Sequence, residues 1–386
     1  MGTYIRIFGS FFVIIYLLLN YYIGLRSFQA FRAYYPPLKS FVFWPVFLII
    51  SFAYILDRVI DAKIPFLTVA GSYWLAAFVY LFLSFLLIDA LGLLNWAFKI
   101  LPSAWSILWE SKKIYVLGLL LTAGILPVGT WLAQNPQISK YDISIAKKPD
   151  GINDLKVVLI SDLHVEGPAR TDFMNRAAKT IISLNPDLIV IAGDLVEGSI
   201  DEATQAKLSD ILGNLKATYG IYACLGNHDY FGGKADQITS FLENRGIKVL
   251  RDAFQEAIDG KVIIAGREDY RSRNAGSGQR KGLEEILAGT DPNKPLILLD
   301  HQPENIKEAQ NAGVNLMLSG HTHGGQLFPA QFVTKSLFLI DRGVWTEGDF
   351  NLIVSTGLGL WGPPVRTSAR SEIVEINLHF TDPSEK

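Results

Sequence analysis

The sequence predicts an α/β domain carried behind a bundle of about four membrane-spanning helices. Three observations predict it. The first 134 residues hold long apolar runs with few charges; from Lys156 onward short Val, Ile and Leu runs alternate with amphipathic stretches; and five of those runs end in a polar cluster.

Of 386 residues, 49% are hydrophobic and 19% are Asp, Glu, Lys or Arg, a balance too apolar for an ordinary water-soluble or disordered chain and a length that suits two or three domains. Charge is unevenly placed. Residues 1–134 carry 9 basic and 4 acidic side chains, leaving 26 basic and 33 acidic for residues 135–386. The acidic second part argues against non-specific nucleic-acid binding, which needs a basic face to neutralise phosphates. Cys224 is the single cysteine, which excludes an intrachain disulfide and a cysteine-based zinc cluster. It precedes a polar cluster inside a strand-like run and reads as a small core residue.

A bilayer core about 30 Å thick needs roughly 20 mostly apolar residues. Ile7–Leu25, Phe41–Leu56, Phe66–Leu94 and Ile114–Ala133 approach or exceed that length. The second is short and contains Pro45, so a tilted or partly re-entrant segment is expected there. The first lacks a small-x-small cleavage site and is followed by more apolar runs, which favours a retained anchor over a signal peptide. Arg26, Arg32 and Lys39 follow the first run, Lys99, Lys112 and Lys113 the third, and only Arg58 and Lys63 the second. Cationic loops stay cytoplasmic, so this pattern places the region after Ala133 outside, against Lys140, Lys147 and Lys148 beyond the last run. Asp89 is expected at the membrane interface, and Trp44, Trp74, Trp96, Trp105, Trp109 and Trp131 in an interfacial aromatic belt. Gln134–Asp154, with Pro136, Pro149 and Gly151, marks the exit from the membrane.

The strand-like runs are Val157–Ile160, Leu188–Ala192, Ile221–Leu225, Leu296–Leu299 and Leu316–Leu318. They are followed by Ser161-Asp162-Leu163-His164, Gly193-Asp194, Gly226-Asn227-His228-Asp229, Asp300-His301 and Gly320-His321-Thr322-His323. In open α/β sheets ligands bind beyond the carboxyl ends of the strands, so these clusters are expected along one rim. Five of the six histidines fall in them, His379 being the exception. Imidazole suits transition metals, carboxylate and amide oxygens suit harder ions, and a bridging Asp lets two cations sit close enough to clamp a phosphate and acidify a water. Neighbouring glycines permit close backbone approach.

Together these five clusters resemble the calcineurin-like metallophosphoesterase superfamily, over about residues 140–380. Gly324-Gly325-Gln326, Ser355-Thr356-Gly357-Leu358-Gly359 and Gly362-Pro363-Pro364-Val365-Arg366 resemble its bacterial membrane-anchored branch. The resemblance implies a metallophosphoesterase-type β-sandwich flanked by helices. The apolar runs and the polar exit after them give a transmembrane domain over 1–134 and a linker and first strand over 135–154, and the resemblance implies a catalytic domain over 155–386. It further implies two divalent ions, manganese first, with iron or zinc as alternatives. Asp162, His164 and His323 would hold one, and Asn227, His301 and His321 the other. Asp194 would bridge them, and His228 would act as the acid that meets the substrate phosphate, with Asn227 beside it. Two departures matter. Protein Ser/Thr phosphatases of this superfamily use Gly-Asp-x-x-Asp-Arg, whereas Gly193-Asp194-Leu195-Val196-Glu197-Gly198 lacks the second Asp and the Arg, which argues against that substrate class. Where relatives carry Gly-x-Asp-Asp, this chain has Gly266-Arg267-Glu268-Asp269.

The segment after it carries Arg267, Arg271, Arg273, Arg280 and Lys281 with Gly276 and Gly278, and reads as a mobile basic loop. Arg267 and Arg271 are its candidates for capturing an anionic head group. The expected enzyme is a multi-pass protein of the cell membrane with its catalytic domain outside the cytoplasm. It would hydrolyse the phosphodiester or pyrophosphate bond of a phosphorylated small molecule or lipid, without nucleic acid as partner. A nucleotide phosphodiesterase and a non-catalytic metal- or phosphate-binding membrane sensor are the competing readings.

Overall fold

The structure, a computed structural model, describes residues 2–60, 64–165, 171–197, 200–273 and 280–382. Lys63, Gly198, Gly276, Gly278 and the Arg273 side chain lie outside the described residues. The chain divides into two compact units, residues 1–131 with 362–365 and residues 132–361 with 366–386.

The first unit is built from α1 (Gly2–Tyr34), α2 (Ser40–Ile60), α3 (Pro65–Phe98), α4 (Ser103–Glu110) and α5 (Tyr115–Gln134). Each of the four apolar runs lies on one of the long helices α1, α2, α3 and α5, save Ile114. Among these, α2, α3 and α5 are long and apolar enough to cross a membrane, which associates the chain with a bilayer. Pro45 does not interrupt α2. It sits in the second turn, close to the end whose first N–H groups lack helical partners, and the helix runs 21 residues, about 31 Å at 1.5 Å per residue.

Two expectations for this unit need revision. Trp74 is buried among Phe47, Ala77 and Phe85, so it is a packing residue rather than part of an aromatic belt. Arg26 is not a loop cation: it lies inside α1 and pairs with Asp89 of α3, Nη2 to Oδ2 at 2.7 Å. Tyr22 donates to the same oxygen at 2.7 Å and Tyr115 of α5 to the other, so Asp89 ties three helices together. Charges separated by 63 positions become neighbours only through packing, which loop counting along a sequence does not see.

The second unit contains β1 (Gln137–Ile145), β2 (Asp154–Ile160), β3 (Leu188–Ala192), β4 (Ile221–Cys224), β5 (Ile247–Val249), β6 (Ala253–Ala257), β7 (Val262–Gly266), β8 (Leu296–Leu299), β9 (Leu316–Ser319), β10 (Gly343–Glu347), β11 (Phe350–Val354) and β12 (Glu372–Phe380). They form two six-stranded sheets, in the orders β1-β12-β2-β3-β4-β5 and β10-β11-β9-β8-β7-β6. β2 to β5 run parallel, as do β7, β8, β9 and β11. The C-terminal strand β12 inserts between β1 and β2, pairing Ile373 with Ile138 and Val374 with Leu159.

Side chains alternate across each strand, and here both faces are consumed. Leu188, Val190 and Ala192 of β3 meet Leu299 and Leu318 in the core between the sheets. Ile189 and Ile191 turn instead to Phe173 of α6 (Thr171–Ser183), Leu208 of α7 (Glu202–Leu212) and Ile238 of α8 (Ala235–Glu243). On the far side Leu298, Met317 and Leu352 pack on Leu283 of α9 (Leu283–Ile286) and Ala309 of α10 (Ile306–Asn311). Each large aliphatic side chain so buried stabilises the fold by roughly 1.5–3 kcal/mol. The result is a helix-flanked β-sandwich.

The five polar clusters therefore do not line one rim of one sheet. Three follow β2, β3 and β4 and two follow β8 and β9 of the facing sheet. A run buried on both faces carries no signal of which sheet it joins.

Candidate metal centre

The two sheets bring their carboxyl ends together, and the side chains that leave them converge. Asp162 and His164 follow β2, Asp194 follows β3, Asn227 and His228 follow β4, His301 follows β8, and His321 and His323 follow β9. Potential ligand atoms fall into three overlapping groups, each within 4.8 Å: Asp162, His164 and His323; His164, Asp194 and His228; Asp194, His301 and His321.

The backbone is bent hard to achieve this. Asp162, His164, Asp194, His321 and His323 all have φ between 44° and 71°, the left-handed region that costs a non-glycine residue on the order of 1 kcal/mol or more. Two glycines are required by proximity. A Cβ on Gly226 would lie 2.2 Å from Asp194 Oδ1, and one on Gly320 would lie 2.3 Å from Asp162 Oδ2.

The hydrogen bonds fix which atoms face inward. His228 N donates to Asp194 Oδ1 at 2.8 Å, leaving Oδ2 to lie 3.1 Å from His301 Nε2 and 3.7 Å from His164 Nε2. His301 Nδ1 must donate to the Ala192 carbonyl, 2.7 Å away, so its neutral form points the Nε2 lone pair at a carboxylate oxygen. His164 and His323 likewise set their Nε2 atoms 3.1 Å apart. Asn227 Oδ1 is buried with no hydrogen-bond donor among the described residues. An orphaned amide oxygen beside imidazole nitrogens grouped with carboxylate oxygens is what a cation among them would satisfy, and the donor set of imidazole, carboxylate and amide oxygen suits divalent metals. The residues present fit such ions.

Protonation follows the same geometry. Burial and the nearby His301 hold His321 down to about 3, and burial and His164 hold His323 well below the ordinary imidazole range, so both rings are neutral, as ligands must be. Burial opposes charge on His301 as well, but the Asp194 carboxylate outweighs it and raises the ring well above its ordinary value.

Two residues to which no role was assigned from the sequence join the site. Glu197 sets Oε1 2.5 Å from His164 Nδ1, and its Oε2 accepts from His228 Nδ1 at 2.9 Å. Burial opposes its ionisation, yet the hydrogen bonds from the two histidines bring it down to about 2. Being acceptor only, it fixes both rings with the proton on Nδ1. Asp229, wholly buried, accepts from the N–H groups of Leu195, Val196 and Gly226, which clamps the loop after β3 to the loop after β4. Burial and Asp194 push it up to about 7. Glu197 occupies the place of the second Asp of Gly-Asp-x-x-Asp; one methylene more still reaches the histidines.

The calcineurin-like phosphoesterase family model matches residues 155–325. A transmembrane protein with metallophosphoesterase domain from Danio rerio is 31% identical over 333 residues, covering 81% of this chain and 76% of its own length. The chain belongs to the calcineurin-like metallophosphoesterases. Uncharacterized metallophosphoesterases from Helicobacter pylori and Aquifex aeolicus are each 34% identical over 245 residues, 63% of this chain and 64% and 91% of their own lengths. The chain thus spans just under two thirds of the Helicobacter relative. As a metallophosphoesterase it is a metal-dependent phosphoester hydrolase, and its three overlapping groups are the divalent-metal ligand candidates.

The basic segment behaves differently from its sequence reading. Arg267 is only 4% exposed; its guanidinium donates to Glu308 at 2.9 Å and to the Lys281 carbonyl at 3.0 Å. Arg280 pairs with buried Asp300. These cations are committed to internal partners and are not offered to a substrate. Arg271 is exposed, with its guanidinium 5.3 Å from the ring centre of Phe231, which in turn lies edge-on to His228 at 4.6 Å.

Proposed function

We propose that this chain is a multi-pass, membrane-anchored phosphoesterase that uses two divalent ions, manganese first, to hydrolyse a phosphodiester or pyrophosphate bond of a lipid head group. The observation that carries the reading is Asp194 Oδ2, lying between His301 on one side and His164 on the other. In this reading Asp162, His164 and His323 hold one ion and Asn227, His301 and His321 the other, with Asp194 shared. Bound there, the ions supply charge neutralisation at phosphoryl oxygens and a water acidic enough to ionise near neutral pH.

The chain's own residues do the rest. Glu197, holding Nδ1–H of His228, leaves Nε2 to exchange a proton with the leaving oxygen. The His228 N–H keeps Asp194 from rotating. The His321 N–H, 3.0 Å from Asp162 Oδ1, does the same for that carboxylate. Arg271, beside Phe231 and His228, is placed to meet a second anionic group on the substrate. Residues 1–134 serve as the membrane domain, 135–154 as linker and first strand, and 155–386 as the catalytic domain. The lysines following the third long helix favour a catalytic domain outside the cytoplasm.

A second reading, a nucleotide diester as substrate, draws support from exposed Trp361, 6.3 Å ring to ring from His228, which could stack a base. A substrate panel on the purified full chain with Mn²⁺, covering monoesters, nucleotide diesters, phospholipids and lipid pyrophosphates, tests both. The lipid reading expects turnover of a lipid diester or pyrophosphate at least tenfold above nucleotide diesters. Preference for nucleotide diesters, or for monoesters, would contradict it.

A further inference from the structure

One helix of the catalytic unit is inside out. α11 (Gln331–Leu337) starts eight residues after His323, and its half-buried positions are polar: Gln331 and Thr334, whose hydroxyl donates to Asp341 Oδ2 at 2.7 Å. Its outward positions are Phe332, Val333 and Leu337, 64%, 58% and 71% exposed. Exposed Phe328 and Leu339 extend the patch at its two ends, and exposed Lys335 adds a cation. A helix on the surface of a water-soluble domain carries the opposite pattern. No side chain of α11 is buried in the core.

The patch is mechanically joined to the metal centre. A Cβ on Gly325 would lie 2.3 Å from Gln331 N, so the start of α11 rests directly on the loop that holds His321 and His323. Phe338, next after the helix, sets its ring 5.9 Å from that of His321.

Chain connectivity favours lipid as the occupant of the patch. α5 is apolar enough to cross a membrane and ends at Gln134, and β1 begins at Gln137. Three Cα steps span about 11 Å at most. Ser371 Oγ also donates to the Ala133 carbonyl at 2.8 Å, leaving little slack. A domain so tethered works at a lipid surface. Aromatic and aliphatic side chains beside a lysine are the composition that settles into the head-group boundary. We propose that Phe328 to Leu339, centred on α11, is an interfacial docking surface for the bilayer that seats the mouth of the metal centre at head-group depth. This rests on the membrane-tethered reading above.

The test uses the full chain reconstituted in phosphatidylcholine vesicles. Cys224 is buried, so Val333→Cys can be labelled with an environment-sensitive fluorophore, with Asn214→Cys on an exposed turn as control. The label at 333 is expected to be quenched by nitroxide lipids at least twofold more than at 214, and shielded from aqueous iodide. Equal access to iodide at both positions would overturn the proposal. So would shielding without nitroxide quenching, which would mean that protein, such as a second copy, covers the face. This readout needs no activity, and flotation reports insertion separately, so failure of docking and failure of tethering read apart. In addition, F332S/V333S/L337S is expected to lower turnover of a vesicle-embedded phosphodiester about tenfold while bis-p-nitrophenyl phosphate turnover and metal content stay unchanged. Unchanged turnover of the embedded substrate would contradict docking.

Discussion

Two clusters of charge sit in this molecule, one in each unit, and they are finished to different degrees. In the membrane unit Asp89 receives donors from Tyr22, Arg26 and Tyr115, so the carboxylate is saturated and its charge is cancelled by a guanidinium. In the catalytic unit Asp194 Oδ2 lies between the Nε2 atoms of His301 and His164, at 3.1 and 3.7 Å, and the buried Asn227 Oδ1 has no donor among the described residues. A saturated cluster stabilises a fold by itself; an unsaturated one is costly until something positive enters it. Saturation by donors thus separates a structural ion pair from a set of ligands.

The sharpest way to break it is Asp194→Ala. If the cluster exists to hold cations, this change empties it and lowers kcat roughly 10³-fold or more, equivalent to several kcal/mol of transition-state stabilisation. The thermal midpoint of the metal-free protein should fall, because Asp194 accepts from the His228 N–H and is the counter-charge of protonated His301. Retained metal would contradict the assignment. A second consequence concerns protons. The Asp194 carboxylate raises His301, so without metal the ring holds a proton that an entering cation must displace. Metal affinity should therefore fall as pH falls, by about tenfold per pH unit for one displaced proton. Calorimetry in two buffers of different ionisation enthalpy would count the protons; none released would remove this link.

Smaller effects sharpen the picture. Glu197→Gln keeps the size of the side chain but replaces the carboxylate that fixes His164 and His228, so activity should drop by about 10–100-fold. The loss should be smaller for substrates with activated leaving groups, which need little help from His228. An equal loss for all leaving groups would limit Glu197 to supporting His164. Asp89→Asn is expected to leave metal content untouched while costing on the order of 1–3 kcal/mol of helix-bundle stability, because Arg26 loses its counter-charge. Unfolding in mixed micelles checks this. Loss of metal in that variant would show that the two clusters are not the separate devices described here.

How much of this was legible in the sequence depended on distance along the chain. The short apolar runs ending in Asp, Asn and His marked β2, β3, β4, β8 and β9, because a strand's composition and the residues that follow it are local. Their division between two sheets was not, since Leu188–Ala192 and Leu296–Leu299 are equally apolar on both faces. The insertion of β12 between β1 and β2 joins residues more than 200 positions apart and leaves no local trace. Glu197 was visible as a departure from a motif, but its bridge between His164 and His228 needed the loop geometry after β3. Arg267 and Arg280 looked like free surface cations because their partners, Glu308 and Asp300, lie 41 and 20 residues away.

The most direct test is metal stoichiometry. The 386-residue chain stripped with chelator, titrated with Mn²⁺ and dialysed, should retain two ions per chain by mass spectrometry, and the Asp194→Ala variant fewer than one. Wild-type protein that folds and yet retains no more metal than that variant would contradict the account at its centre.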